Sequence, residues 1–293
     1  MVEGRIIKAL SGFYYVQTTD GVYQCKGRGV FRKKKITPLV GDFVTFDIDD
    51  NNEGYITQVK PRTTELVRPP IANINQAIIV SSATMPEFST TLLDRFLVLI
   101  EAKGLKPIIF ITKIDAIDEV TRENINNYKK EYESIGYTVE LFSAKKPTEL
   151  EKMKQYFSSS VSVIAGQSGV GKSSLLNVLN PQLLLKTADI SKSLGRGKHT
   201  TRHVELMEVG GGLVADTPGF SALDFDELEL AELPHCFPEM RERSDECKFR
   251  GCMHLKEPKC AVKQAVESGD IASYRYDHYV SFADEIQSRK PRY

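Results

Sequence analysis

The stretch Gly166-Gln167-Ser168-Gly169-Val170-Gly171-Lys172-Ser173 fits G-x-x-x-x-G-K-[ST], the phosphate-binding P-loop. Its glycines let the backbone curl so that successive N–H groups point at phosphate oxygens. The apolar run Val161–Ala165 before it reads as a buried strand, and Ser173–Leu179 after it as a helix start. A helix N-terminus adds partial positive charge at that point. Lys172 is expected to reach the β- and γ-phosphates, and Ser173 to ligate Mg²⁺, so that residues 166–174, Ser174 included, form a nucleotide-binding set.

Other residues could complete that chemistry. Asp216-Thr217-Pro218-Gly219 fits D-x-x-G, in which Asp216 holds Mg²⁺ largely through water and the Gly219 N–H senses the γ-phosphate. Ahead of it lies a glycine-containing basic loop, Gly195–Arg202, whose Thr200 or Thr201 could close over Mg²⁺; the sequence does not choose between them. Thr112-Lys113-Ile114-Asp115 is similar to the guanine-reading N-K-x-D. Asp115 would accept from guanine N1–H and the exocyclic amine. Adenine has no such donor pair and would strand the carboxylate, which can give discrimination of order 10⁴. Lys113 would lie along the base, and Ser143-Ala144 would offer a backbone N–H to the guanine carbonyl. Further on, Cys247-x₄-Cys252-x-His254-x₅-Cys260 supplies three thiols and an imidazole, a set that suits tetrahedral zinc. His235 is a rival ligand further from the cluster, and Cys25 and Cys236 stand apart as free thiols.

These groups need a scaffold. The chain has 293 residues, 41% hydrophobic and 27% charged, with a formal net charge of zero, as in an ordinary globular protein of two or three domains. No signal peptide and no membrane span are expected, and clustered cysteines favour a metal in a reducing cytoplasm over disulfides. Residues 1–68 read as five short strands between turns, among them 5–10, 13–16, 22–25, 43–48 and 54–59, which predicts a small closed barrel of the OB type. The run Lys26, Arg28, Arg32, Lys33, Lys34, Lys35 contains no acid and reads as a loop that contacts RNA phosphates. Arg68-Pro69-Pro70 reads as a linker. From residue 75 strands and helices alternate, which predicts a parallel sheet with ligand at the carboxyl ends of its strands. Residues 224–293 form a third region around the Cys/His cluster; Tyr274, Tyr276 and Tyr279 in its tail are read as core.

A GTPase normally runs P-loop, switch threonine, D-x-x-G, N-K-x-D, S-A-K. Here the order is T-K-I-D, S-A-K, P-loop, threonine, D-T-P-G. With a barrel before it and a Cys/His cluster after it, this circular permutation resembles the small ribosomal subunit biogenesis GTPase family, RsgA, over nearly the whole chain. The resemblance implies an OB-fold barrel (1–68), an α/β circularly permuted P-loop GTPase domain (69–223) and a C-terminal helical zinc-binding domain (224–293). It implies hydrolysis of GTP to GDP, stimulated by the 30S subunit, in late maturation of that particle. It implies one structural zinc, Mg²⁺ with GTP (at Ser173, Thr201 and Asp216), contact with 16S rRNA, a cytoplasmic monomer, and a catalytic part for His199 beside Lys172. Two residues depart from the usual GTPase pattern. Thr112 replaces the Asn that braces the base pocket. Phe220 follows Gly219, where many GTPases place a water-orienting Gln, so that task passes to His199. Two other readings are an RNA-binding assembly factor that uses GTP only as a timing ligand, and an ATP-dependent kinase, against which Asp115 argues.

Overall fold

The computed structural model describes residues 1–27, 31, 36–49, 53–67, 69–143, 145–179, 204–218 and 223–289, with the backbone alone for residues 147 and 216–218. Five strands open the chain: β1 (Val2–Leu10), β2 (Phe13–Thr18), β3 (Gly21–Gly27), β4 (Phe43–Ile48) and β5 (Gly54–Val59). Short β6 (Glu65–Leu66) and β7 (Ile71–Ala72) follow. The alternating part comprises β8 (Gln76–Ser82), α1 (Thr90–Glu101), β9 (Lys106–Thr112), α2 (Glu119–Ser134), β10 (Thr138–Leu141), α3 (Pro147–Met153), β11 (Val161–Ala165), α4 (Lys172–Leu179), β12 (Leu206–Val209) and β13 (Gly212–Pro218). Two helices near the end are α5 (Ala261–Ser268) and α6 (Ser273–Ser288). The chain gathers into two compact units, Met1–Ile78 with Ser143–Ser221, and Ile79–Phe142 with Ala222–Tyr293.

In the first unit the five opening strands close into a barrel in the order β1-β2-β3-β5-β4. The turns are those the sequence announces: Ser11-Gly12 has positive φ at both residues, and Asp20-Gly21 turns at a glycine with φ +140°. Ile6, Val16, Cys25, Val44, Phe46 and Ile56 point inward and are fully buried. Closure is the parallel pairing of β3 with β5, where Cys25 meets Gly54. A Cβ at residue 54 would come within 2.3 Å of the Cys25 sulfur, so closure here requires glycine. Burial pushes the Cys25 thiol up to about 11, as befits a small core residue. The segment after the barrel is tied back to it: Arg62 donates to both oxygens of buried Asp42 at 2.8 Å. Prolines at 69 and 70 do not leave a bare linker, since β6 and β7 pair antiparallel on either side of them.

The rest of this unit places β8 beside β11, then β13, then β12. β11 and β13 run parallel, and β12 is an antiparallel edge. Gln76 anchors the start of β8 by donating to the Tyr156 carbonyl at 2.8 Å and the Ser162 hydroxyl at 3.0 Å. The barrel meets the edge strand through a bridge between Lys8 and Glu205, reinforced by an ion pair at 2.9 Å.

The second unit takes β8 from Ile79 onward, then β9 and β10 in that order, with β9 and β10 parallel. Ser89 caps α1 by accepting from the Leu92 N–H, and the chain turns after it at Gly104, with φ +64°. Asp118 caps α2 in the same way. Residues 223–289 pack as a core of Phe225, Leu233, Phe237, Met240, Tyr279 and Phe282, and Val98 of α1 belongs to that core. Tyr279 is fully buried, while the Tyr274 and Tyr276 hydroxyls donate to Glu131 and to the His254 carbonyl, so these tyrosines are structural.

At the centre of this unit is a buried ionic cluster. Arg275 of α6 is 1% exposed. Its Nε and Nη2 donate to the two oxygens of Glu239 at 2.7 and 3.0 Å, and its Nη1 donates to Asp94 of α1. Asp94 also accepts from the Tyr132 hydroxyl at 2.7 Å and lies 2.6 Å from His278 Nδ1. The guanidinium sits 4.7 Å from the Phe237 ring centroid. Removing one member leaves an uncompensated buried charge, which costs about 3–5 kcal/mol. Arg275→Leu is therefore expected to lower stability by that amount in urea denaturation. A loss under 1 kcal/mol would show that the cluster does not hold this unit together.

Candidate nucleotide and metal sites

Gly166 begins directly after β11, and α4 begins at Lys172, so the P-loop runs from a strand end to a helix start as the motif requires. Gly166, Gly169 and Gly171 have φ of +136°, +82° and +103°, conformations that a side chain would strain. Val170 is buried and anchors the loop, while Ser173 and Ser174 are exposed in the first turn of α4. The Lys172 ammonium donates to the Gly166 and Gln167 carbonyls, each at 2.7 Å. It is thus held over the loop, and burial lowers its pKa. In the same unit Pro218 stands in register with Ile164, so the D-T-P segment runs alongside the end of the P-loop strand. The side chain of Asp216 lies outside the description, as does Gly219.

In the second unit Thr112 closes β9, buried, with its hydroxyl donating to the Ser81 carbonyl at 3.2 Å. The usual Asn at this place would offer an amide; threonine spends its hydroxyl on the neighbouring strand. Lys113 takes a left-handed conformation with φ +62°, and its ammonium donates to the Met85 carbonyl. Asp115 is exposed in the short turn that follows. Ser143, in the first unit, is buried, and its N–H is taken by the Glu149 carboxylate at 2.9 Å. The Ser143 N–H is therefore already taken, and Ala144, the other member of the pair, lies outside the described residues. So do Gly195–Arg202, with His199, Thr200 and Thr201.

Of the basic run, Lys26 alone is described. It lies on β3, and its ammonium is 2.7 Å from Glu53, with the Phe13 ring centroid 5.6 Å away. The run has no acid in sequence, yet β5 begins beside one. Arg28 and Arg32 to Lys35 lie outside the described residues.

The metal-ligand cluster is assembled. One ligand atom from each of Cys247, Cys252, His254 and Cys260 lies within 4.8 Å of all the others. His254 Nδ1 is 3.6 Å from the Cys247 sulfur and 3.3 Å from the Cys260 sulfur, and those two sulfurs are 3.9 Å apart. Zn–S near 2.3 Å and Zn–N near 2.0 Å in a tetrahedron require about 3.8 Å between sulfurs and about 3.5 Å from sulfur to nitrogen. The residues fit a bound ion. The imidazole is also poised in the matching tautomer. Ser244 Oγ donates to the Met240 carbonyl at 2.9 Å, so toward His254 Nε2, 3.4 Å away, it is an acceptor. Nε2 then carries the proton and Nδ1 keeps its lone pair for a metal. Burial pushes the Cys252 thiol up to about 12, and a bound cation would take the place of its proton. The loop that carries His254 is shaped by Glu257, which accepts from the N–H groups of Met253, Leu255 and Lys256 at 2.8, 3.0 and 3.0 Å. His235 and Cys236 take no part, and Cys236 is buried as a free thiol.

Known proteins resemble this arrangement throughout. The family profile described as RsgA GTPase matches residues 59–226, and that of the RsgA N-terminal domain matches residues 3–56. The small ribosomal subunit biogenesis GTPase RsgA 2 of Oceanobacillus iheyensis is 67% identical over 293 residues, which is the full length of both chains. Among solved structures, YloQ, described as a circularly permuted GTPase, is similar with a TM-score of 0.88 and 55% identity, covering 100% of this chain and 97% of its own. YjeQ from Thermotoga maritima is similar with a TM-score of 0.88 and 36% identity, covering 99% of each chain. On this evidence of full-length identity, with the permuted motifs in place, the chain belongs to the RsgA GTPase family.

Proposed function

We propose that this GTPase acts in late maturation of the small ribosomal subunit, where it binds the 30S particle through 16S rRNA and hydrolyses GTP to GDP and phosphate under stimulation by that particle. The observation that carries the reading is the permuted order T-K-I-D, S-A-K, P-loop, D-T-P-G between a closed barrel and a Cys/His cluster. It is supported by the name that the Oceanobacillus relative bears. The barrel (1–68) and the C-terminal region (224–293) grip RNA, and the segment between them turns over nucleotide. The protein works as a cytoplasmic monomer; among the described residues no helix is long and apolar enough to cross a membrane.

The roles follow from chemistry. Lys172 and the P-loop N–H groups stabilise charge that develops on the γ-phosphate as water attacks. Ser173, Asp216 and Thr200 or Thr201 hold Mg²⁺, which when bound with GTP neutralises phosphate charge. His199 orients the water, because Phe220 has no group to do so. Asp115 and Lys113 read guanine. Cys247, Cys252, His254 and Cys260 hold one structural zinc.

Asp115→Asn is expected to weaken GTP binding by at least a hundredfold and to favour xanthosine triphosphate, whose carbonyl can accept from the new amide. Unchanged GTP affinity would take Asp115 out of base recognition. His199→Ala should leave GTP binding within twofold and lower 30S-stimulated turnover by at least tenfold. Normal stimulated turnover would assign the water to another group. Metal analysis should find one zinc per chain, absent from Cys252→Ser, with GTP affinity kept because no nucleotide-binding residue lies within the segment 244–260 that the ion would hold. Zinc on such ligands is worth on the order of 10–16 kcal/mol in small peptides, so loss of the ion should loosen residues 244–260 to proteolysis. A Cys252→Ser protein that keeps its zinc would overturn the ligand set.

A further inference from the structure

A crevice of about 440 Å³ opens within the first unit, lined by Arg5 and Phe43 of the barrel, Thr63 and Asn75 of the segment after it, and Ser159 and Ser160 ahead of β11. It lies at the opposite end of β11 from the P-loop, since Val161, the first residue of that strand, forms part of its wall. None of its lining residues carries a carboxylate. Its one charge is Arg5. That residue stands in register with Phe43 on the neighbouring strand, and its guanidinium carbon lies 4.2 Å from the ring centroid. Stacking fixes the plane of the guanidinium and leaves its edge for hydrogen bonds. Arg5 Nε is shut off from water and has no hydrogen-bond partner, so a ligand in the crevice can be met only by the outer nitrogens of the guanidinium.

The surroundings define what the crevice could hold. The Ser159 hydroxyl is a neutral group that can donate to an oxyanion, whereas the Ser160 hydroxyl donates to the Ser158 carbonyl at 3.4 Å and the Thr63 hydroxyl to Asn73 Oδ1 at 3.3 Å. The side-chain oxygen of Asn75 accepts from the Val161 N–H at 2.9 Å, so the group it has left to present is its NH₂. Phe43, Val161 and Leu213 add apolar wall. The volume exceeds what a bare phosphate fills and falls in the range of small-molecule sites, about 300–1,000 Å³. A ligand with one anionic group and a flat, partly polar body matches cation, hydroxyl, amide and wall together.

We infer that this crevice is a second nucleotide site, with Arg5 donating to a phosphate and the Asn75 amide meeting the polar edge of the base. The same chemistry has two sources, a free mononucleotide or one nucleotide of an RNA strand. The RNA source rests on the reading of the barrel as RNA-binding; the free-nucleotide source does not.

The test is calorimetric titration of the full chain with Mg·GDP saturating the P-loop. The probes are uridine 5′-monophosphate, a single-stranded hexauridylate, and uridine without phosphate. Saturable binding of the monophosphate or the hexamer is expected, with none for uridine. Arg5→Gln should weaken it at least tenfold. So should Ser159→Asp, which adds a negative charge at an exposed residue whose φ of +56° aspartate tolerates, so the fold is kept. Sensitivity seen with the monophosphate identifies a free nucleotide; sensitivity seen with the hexamer alone identifies RNA. A hexamer that binds the parent and both variants alike would overturn the site while leaving the RNA reading of the barrel intact. Absence of binding by all probes would also overturn it.

Discussion

A guanidinium with almost no contact with water must have its charge matched where it sits, and Arg275 is matched by two carboxylates from distant parts of the chain. Asp94 lies on the helix after the first strand of the alternating region. Glu239 lies in the short helical turn Pro238–Arg241, which opens the cysteine-rich segment. Neither carboxylate can move away without stranding a charge, and the penalty is several kcal/mol. The cluster therefore specifies the second unit more sharply than its apolar core could, because Phe237, Phe282 and Tyr279 would tolerate small shifts that a bidentate ion pair does not. Tyr132 shares the Asp94 oxygen that Arg275 uses, His278 meets the other, and Thr91 meets the far ring nitrogen of His278.

This matters because of the permutation. In this order of motifs the D-T-P-G strand, β13, is followed almost at once by the C-terminal region. The segment proposed to sense the γ-phosphate is thus joined covalently to one whose own anchor is a buried salt bridge and a metal-ligand cluster. At the other end of the chain the barrel meets the strand after the proposed switch through Lys8 and Glu205. On the proposed function, hydrolysis in such a molecule can be reported to both end regions through short stretches of backbone, without a long relay.

Much of this was legible in the sequence because it is local. P-loop glycines, the two hairpin turns, the strand limits at Phe43–Ile48, Gly54–Val59 and Val161–Ala165, and the spacing of four metal ligands are all written within a few residues. The illegible parts are long-range. Prolines 69 and 70 read as a linker, yet β6 and β7 pair on either side of them, because proline forbids only its own ladder bonds. Lys26 belongs to a run free of acids, but Glu53 reaches it across the barrel. Ser143 looked available to a base until Glu149 claimed its N–H. Arg275 gave no signal at all, since an arginine in a polar helix is ordinarily solvated. Nor did Ser244, whose part in setting the His254 tautomer depends on which carbonyl takes its proton.

The central claim is that the permuted GTPase is coupled to the small ribosomal subunit. The most direct measurement is steady-state GTP turnover by the full chain alone, with purified 30S subunits and with 50S subunits, at one salt concentration. The account predicts slow turnover alone, an increase of at least tenfold with 30S, and no comparable increase with 50S. Equal turnover in all three conditions would contradict it.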